Sequence, residues 1–204
     1  GENTGGIEFK KYSENGLEIS RLIVKNQKAR QALGKEIGTY ITIELPSLTD
    51  NFTETDKRLE TVGNEIKRLL PVNGLVLVAG LGNMEITPDS LGPKTSRRVL
   101  ATRHIGGEIA RSTGLDRLRP VAVMQTGVTG QTGIETGEYI LSIVKRIKPN
   151  AVVVIDALAL MKNLFSYDSL KRALKGKEIR IEDVWEQYRL ITTTTLRPEP
   201  IPLN

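Results

Sequence analysis

Two aspartates stand where a carboxylate could do acid–base chemistry. Asp156 directly follows the apolar run Val152-Val153-Val154-Ile155. Asp89 sits in Gly80-Leu81-Gly82-Asn83-Met84-Glu85-Ile86-Thr87-Pro88-Asp89-Ser90-Leu91-Gly92-Pro93, shortly after the apolar run Leu75–Ala79. Carboxylates brought close together split their proton affinities, so that one can act as a general base on water while its protonated partner acts as a general acid. Taken alone, each aspartate has a plainer reading as a helix cap, accepting from open amides at the positive end of the helix dipole. The pairing at the ends of two apolar runs is what favours hydrolytic chemistry.

The glycine turn after the first run and the loop Thr126-Gly127-Val128-Thr129-Gly130-Gln131-Thr132-Gly133-Ile134-Glu135-Thr136 supply the other candidates: Gly82, Asn83, Thr126, Gly127, Gly130, Thr132, Gly133 and Glu135. Amides in such loops can hold a substrate carbonyl or a developing oxyanion. The simpler reading is a connecting loop in which Thr132 and Glu135 form a capping box, and the two can hold together. Neither stretch fits a dinucleotide fingerprint or a phosphate loop. His104, the one histidine, falls in the helix-like stretch Arg97–His104 and reads as a hydrogen-bonded structural residue. Without cysteine, disulfides, thiolate nucleophiles and cysteine-ligated zinc drop out. No metal and no cofactor is expected.

The elements that must position these residues follow from periodicity. Leu75–Ala79, Val121–Met124 and Ala151–Ile155 are short, β-branched and apolar, as strands buried on both faces are. Between them, Leu91–Ile109 reads as a helix, and Ile140, Ile143, Val144 and Ile147 define another, closed by Pro149. Alternation of this kind implies an α/β fold with a largely parallel sheet flanked by helices, and ligands in such sheets sit beyond the carboxyl ends of the strands. Upstream, Gly16–Lys25 and Gly38–Glu44 read as strands, Gln27–Leu33 as a short helix stopped by Gly34, and Leu59, Val62, Ile66 and Leu69 as an amphipathic helix capped by Thr53 or Thr55. Leu160–Leu174 and Ile181–Leu190 look helical, and Thr192–Asn204 extended.

At 204 residues, with 39% apolar and 26% charged content, the chain reads as one soluble domain around one core. Its net charge of +5 is spread along the chain among acidic residues, and 4% aromatic content gives little material for base stacking, so no direct nucleic-acid partner is expected. No apolar run approaches the roughly 20 residues of a membrane-spanning helix, so no membrane partner is expected either. Gly1–Gly6 lacks a secretory pattern and reads as a flexible processed end or a cloning remnant, and residues 1–15 as a flexible N-terminus; the location expected is cytoplasmic.

Gly80-Leu81-Gly82-Asn83, Thr87-Pro88-Asp89-Ser90-Leu91-Gly92-Pro93, Thr102-Arg103-His104, Arg119-Pro120-Val121, Gly127–Thr136 and Ile155-Asp156-Ala157-Leu158-Ala159 together resemble the germination protease family in order and spacing. The likeness runs from about Gly16 to Ala159 and takes in Gly34-Lys35, Gly38-Thr39-Tyr40 and Ile41-Thr42-Ile43-Glu44. It implies a three-layer, phosphorylase/hydrolase-like domain and an aspartic endopeptidase that degrades small acid-soluble, DNA-protecting spore proteins. It further implies a self-processing zymogen, a homotetramer, the spore core as location, and Asp89 and Asp156 as the catalytic pair. The family's Asp-Thr/Ser-Gly-Ile and Pro-Gly-Ser-Gly stretches have no counterpart after Ala159, which leaves residues 160–204 as a divergent tail. Two other readings follow. One is a shortened, inactive homologue that binds or regulates. The other is a metal-dependent endopeptidase like the hydrogenase-maturation enzymes of related fold, in which His104 would have to serve as a ligand.

Overall fold

The computed structural model describes residues 2–45, 56–105, 107–157 and 189–193. They fall into two compact units, one built on residues 1–69 and the other on residues 70–197, where the sequence suggested a single core.

The first unit is an antiparallel sheet in the order β1 (Glu2–Thr4), β2 (Ile7–Glu14), β3 (Leu17–Val24), β4 (Gly38–Glu44). The expected strands are β3 and β4, paired in register from Glu18↔Glu44 to Val24↔Gly38. The expected flexible start is instead β1 and β2. β2 pairs with β3 along its whole length, from Ile7↔Val24 to Glu14↔Leu17. The turn joining them is Asn15-Gly16, both at positive φ (51° and 78°), the conformation that a two-residue hairpin demands and that Asn-Gly readily adopts. Helix α1 (Gln27–Leu33) starts at Asn26, whose Oδ1 accepts from the Ala29 amide at 2.9 Å, and ends at Gly34, as expected. Helix α2 (Lys57–Leu69) is capped by Asp56, whose Oδ1 accepts from the Arg58 amide at 2.9 Å. Thr53 and Thr55 lie outside the described residues. Its Glu65, 2% exposed, takes the Tyr12 hydroxyl (3.0 Å), Arg21 Nη2 (2.5 Å) and the Arg68 guanidinium.

The second unit carries the parallel sheet that makes the fold α/β. Its order is β6 (Val121–Gly127), β5 (Val76–Leu81), β7 (Ala151–Ile155), β8 (Arg189–Thr193), with each neighbouring pair parallel. β5 and β7 are buried throughout, which accounts for their unbroken apolar sequences. Leu77, Ala79, Leu81, Val152 and Val154 pack on Ile140 and Val144 of helix α6 (Thr136–Ile147), with Ala122, Met124, Ile143 and Ile147 at the margin. Each buried Val, Leu or Ile here contributes about 1.5–3 kcal/mol over an exposed position.

The helix expected over Leu91–Ile109 is two pieces, α3 (Leu91–Ser96) and α4 (Gly107–Thr113). The cause is Thr102. Its hydroxyl donates to the Arg119 carbonyl (2.5 Å) and accepts from the Val121 amide (2.9 Å), and its own amide donates to the Val121 carbonyl (2.9 Å). The segment is thereby tied to the start of β6, and bonds to a distant strand replace the helical ladder. His104 consequently sits on an exposed turn, not in a helix. The expected helix over Ile181–Leu190 meets β8 at Arg189–Leu190, which are strand; its earlier part and that over Leu160–Leu174 lie outside the described residues. Among the described residues no helix is long and apolar enough to cross a membrane.

Candidate active site

The carboxyl ends of β5 and β7 meet at a glycine contact. Gly80 on β5 pairs with Ile155 on β7. Helix α3 is pressed against both strands: a Cβ on Gly92 would stand 2.2 Å from the Leu81 carbonyl oxygen and 2.3 Å from that of Ile155, and one on Gly80 would stand 2.3 Å from the Gly92 carbonyl oxygen. No other residue fits there without moving backbone. Since Asp89 lies three positions before Gly92 and Asp156 one after Ile155, this contact sets both aspartates above the same pair of strand ends. Sequence reasoning did not single out Gly80 or Gly92 as positioning residues. The signal was a glycine in the first turn of a helix, where it brings no helix-forming advantage.

Asp89 closes a short helical turn, Thr87–Asp89, and is half-buried. It does not cap α3: Ser90 holds the cap position without a side-chain bond. The Asp89 Oδ2 instead accepts the backbone amide of Asn83 at 2.6 Å, across the turn that follows β5. Gly82 makes that approach possible. Its φ is +114°, and a Cβ there would stand 2.1 Å from the Asp89 backbone oxygen and 2.9 Å from its Oδ1. The Asn83 side chain turns away, its Oδ1 accepting from the Glu85 amide at 2.9 Å.

Asp156 is half-buried, and its pKa is raised from the ordinary aspartate value to about 6. Burial is the largest cause; a hydrogen bond from the Ala157 amide opposes it, and the charge of Asp89 adds to it. The two carboxyl groups therefore interact electrostatically. Most residues that Asp156 would cap as a helix start lie outside the described part of the chain.

Of the loop candidates, Thr126 and Gly127 end the strand next to β5. Gly80 pairs with Gln125 and Leu81 with Gly127, so Thr126 is the extra residue of a bulge; it is buried, and its hydroxyl donates to the Gly127 carbonyl at 2.9 Å. The one-turn helix α5 (Thr129–Thr132) follows, and Gly130, Thr132, Gly133 and Glu135 are exposed. Thr132 bonds within its own loop, to the carbonyls of Val128 and Ile134 and the amide of Ile134, and Glu135 at the start of α6 makes no side-chain cap, so the expected capping box does not form. Among the described residues no three His, Asp or Glu side chains cluster as metal ligands would.

A parallel α/β unit thus brings Asp89 and Asp156 above the ends of adjacent strands, where sheets of this class place their ligands. Comparison with known proteins sharpens the class. A model of the germination protease family matches residues 1–164. Germination proteases from Caldanaerobacter subterraneus subsp. tengcongensis and Clostridium tetani are 39% and 36% identical over 157 residues, in each case 76% of this chain and 48% of the relative. That of Bacillus cytotoxicus is 37% identical over 166 residues, 78% of this chain and 45% of the relative. The chain belongs to the germination protease family. It spans about half the length of the curated relatives it matches. A second family model, of a LonB-like AAA domain, matches residues 129–204.

Proposed function

We propose that the chain is an endopeptidase that degrades small acid-soluble, DNA-protecting proteins during spore germination, with Asp89 and Asp156 as its catalytic pair. The observation that carries this reading is the raised proton affinity of Asp156 beside the charge of Asp89, above adjoining strand ends. One carboxylate takes a proton from water as its oxygen attacks the peptide carbon. The other gives a proton to the departing amine. The Asn83 amide is taken up by Asp89, and amides of the Thr126-Gly127 bulge offer donors for the substrate carbonyl. The three-layer, phosphorylase/hydrolase-like arrangement, the zymogen, the homotetramer and the spore-core location belong to the same reading through the family. Incubating the protein with small acid-soluble spore proteins from mildly acidic to neutral pH is expected to give discrete internal cleavages. Intact substrate throughout would reject it.

The LonB-like match, which alone takes in residues 165–204, favours a second reading, in which that last segment differs in origin from the germination proteases and the chain binds its protein substrate without cutting it. Capture of spore proteins that neither aspartate substitution changes is its signature.

A further inference from the structure

We propose that the surface around Thr102, at the amino end of the parallel sheet, docks an acidic, partly apolar segment of the protein substrate, away from the peptide bond that is cut. This rests on the protease reading above and adds a second contact to it. The surplus of positive charge, expected to be spread along the chain, is local. Residues 94–119 hold seven lysines and arginines against Glu108 and Asp116, a surplus of five that equals the net charge of the whole chain, and the remainder carries twenty-two charges of each sign. Three segments converge at the start of β6. Thr102 bonds to the Arg119 carbonyl and the Val121 amide, and the Arg119 guanidinium donates to the Pro71 carbonyl. Within two residues of these bonds stand Leu100, Leu118 and Val72, which are 64%, 43% and 92% exposed, together with the exposed Arg103 and Arg117. Among the described residues neither guanidinium has a hydrogen-bonded or ion-pair partner.

Apolar side chains exposed as a group mark a contact surface, and free guanidiniums among them select a partner of negative charge. Phosphate would leave the three apolar side chains without a use, so a polypeptide with acidic and apolar residues fits the mixture better than nucleic acid does. A second copy of the chain has no net acidic charge outside this stretch to meet it. The aspartates lie at the opposite end of the sheet: Val121 is level with Val76 and Ala151, whereas Gln125 is level with Gly80 and Ile155. Four steps of about 3.3 Å, with the turns beyond each end, put the two surfaces roughly 15 Å or more apart. A substrate held at both must keep about five residues or more between its acidic segment and the bond that is cut. Between the two ends, α3 and the residues after it expose Lys94, Arg97 and Arg98, which continue the positive strip toward the aspartates.

The paired charge reversal Arg103→Glu with Arg117→Glu tests this in the full chain. With a small acid-soluble spore protein as substrate, it should raise KM about 10-fold and leave kcat unchanged, as loss of a contact made equally in ground and transition states does. With a synthetic peptide of about eight residues centred on a mapped cleavage, too short to reach the surface, KM and kcat should both stay as they were. Leu100→Ser should also raise KM for the whole protein. An unchanged KM for the whole protein in either variant, or an equal rise for the peptide, overturns the proposal. So does a charge reversal whose main effect is to release a short DNA duplex, or to turn a dimer into a monomer in sedimentation. Failure of the protease reading shows itself separately, as an unaltered chain that cuts neither substrate. Binding of the intact spore protein then decides: weakening of about 10-fold by the charge reversal supports the docking surface, and unweakened binding overturns it.

Discussion

Asp156 links protonation to folding. Its native pKa of about 6 lies above the ordinary value of 3.8, chiefly through burial. Between those values the folded chain holds more protons than the unfolded one, so this group makes stability fall as pH rises through the window, and its destabilising effect is complete above about 6. Asp156→Asn should therefore be more stable than the unaltered protein at neutral pH, by on the order of 1–2 kcal/mol once solvent access is allowed for. Near the ordinary aspartate value the two should converge. Urea unfolding at both pH values measures this, and a variant no more stable at neutral pH contradicts the buried setting. If Asp156 is the acid, kcat/KM for a spore-protein substrate should also decline as pH rises through about 6. A profile flat across that value would remove Asp156 from the proton transfer.

At the scale of elements, much was legible because local chemistry and tertiary setting agree. β5 and β7 are apolar throughout and buried throughout, and α1 runs from an asparagine cap to a glycine stop. β2 was missed because Lys10, Lys11 and Glu14 fall on both faces of the strand and interrupt any alternation of apolar and polar positions, although Asn15-Gly16 announced the hairpin. The break between α3 and α4 was invisible because its cause is the bonding of Thr102 to a strand begun nineteen positions later. The interlock of Gly92 with the Leu81 and Ile155 carbonyls was hidden for the same reason: a close approach between distant segments has no local period. Within the first unit, Glu65 is held below the ordinary glutamate value: burial alone would raise it, and the bonds and charges of Arg21, Tyr12 and Arg68 more than offset that. Its stabilising contribution is present above the ordinary value and is lost as pH falls through the lowered one. Glu65→Ala leaves Arg21 partly buried without its carboxylate and should cost about 3–5 kcal/mol at neutral pH. A shift in the urea midpoint worth less than about 1 kcal/mol would show the network to be no stronger than a surface ion pair.

For the whole molecule, the germination protease match over residues 1–164 takes in both aspartates and the turn that holds Asp89, so the chemistry proposed lies within the matched region. The LonB-like match over residues 129–204 overlaps it across β7 and Asp156. The central claim is that Asp89 and Asp156 cut peptide bonds as a unit, and cleavage of a small acid-soluble spore protein by matched, folded preparations of the unaltered chain, Asp89→Asn, Asp156→Asn and the double variant tests it most directly. Asparagine caps a helix about as well as aspartate but cannot exchange a proton, so capping and catalysis diverge on these substitutions. Each single variant is predicted to lose about 100-fold to 10,000-fold in rate, and the double variant scarcely more, because groups acting as a unit are not additive. Near-normal cleavage by both single variants, with thermal unfolding like that of the unaltered chain, would contradict the claim.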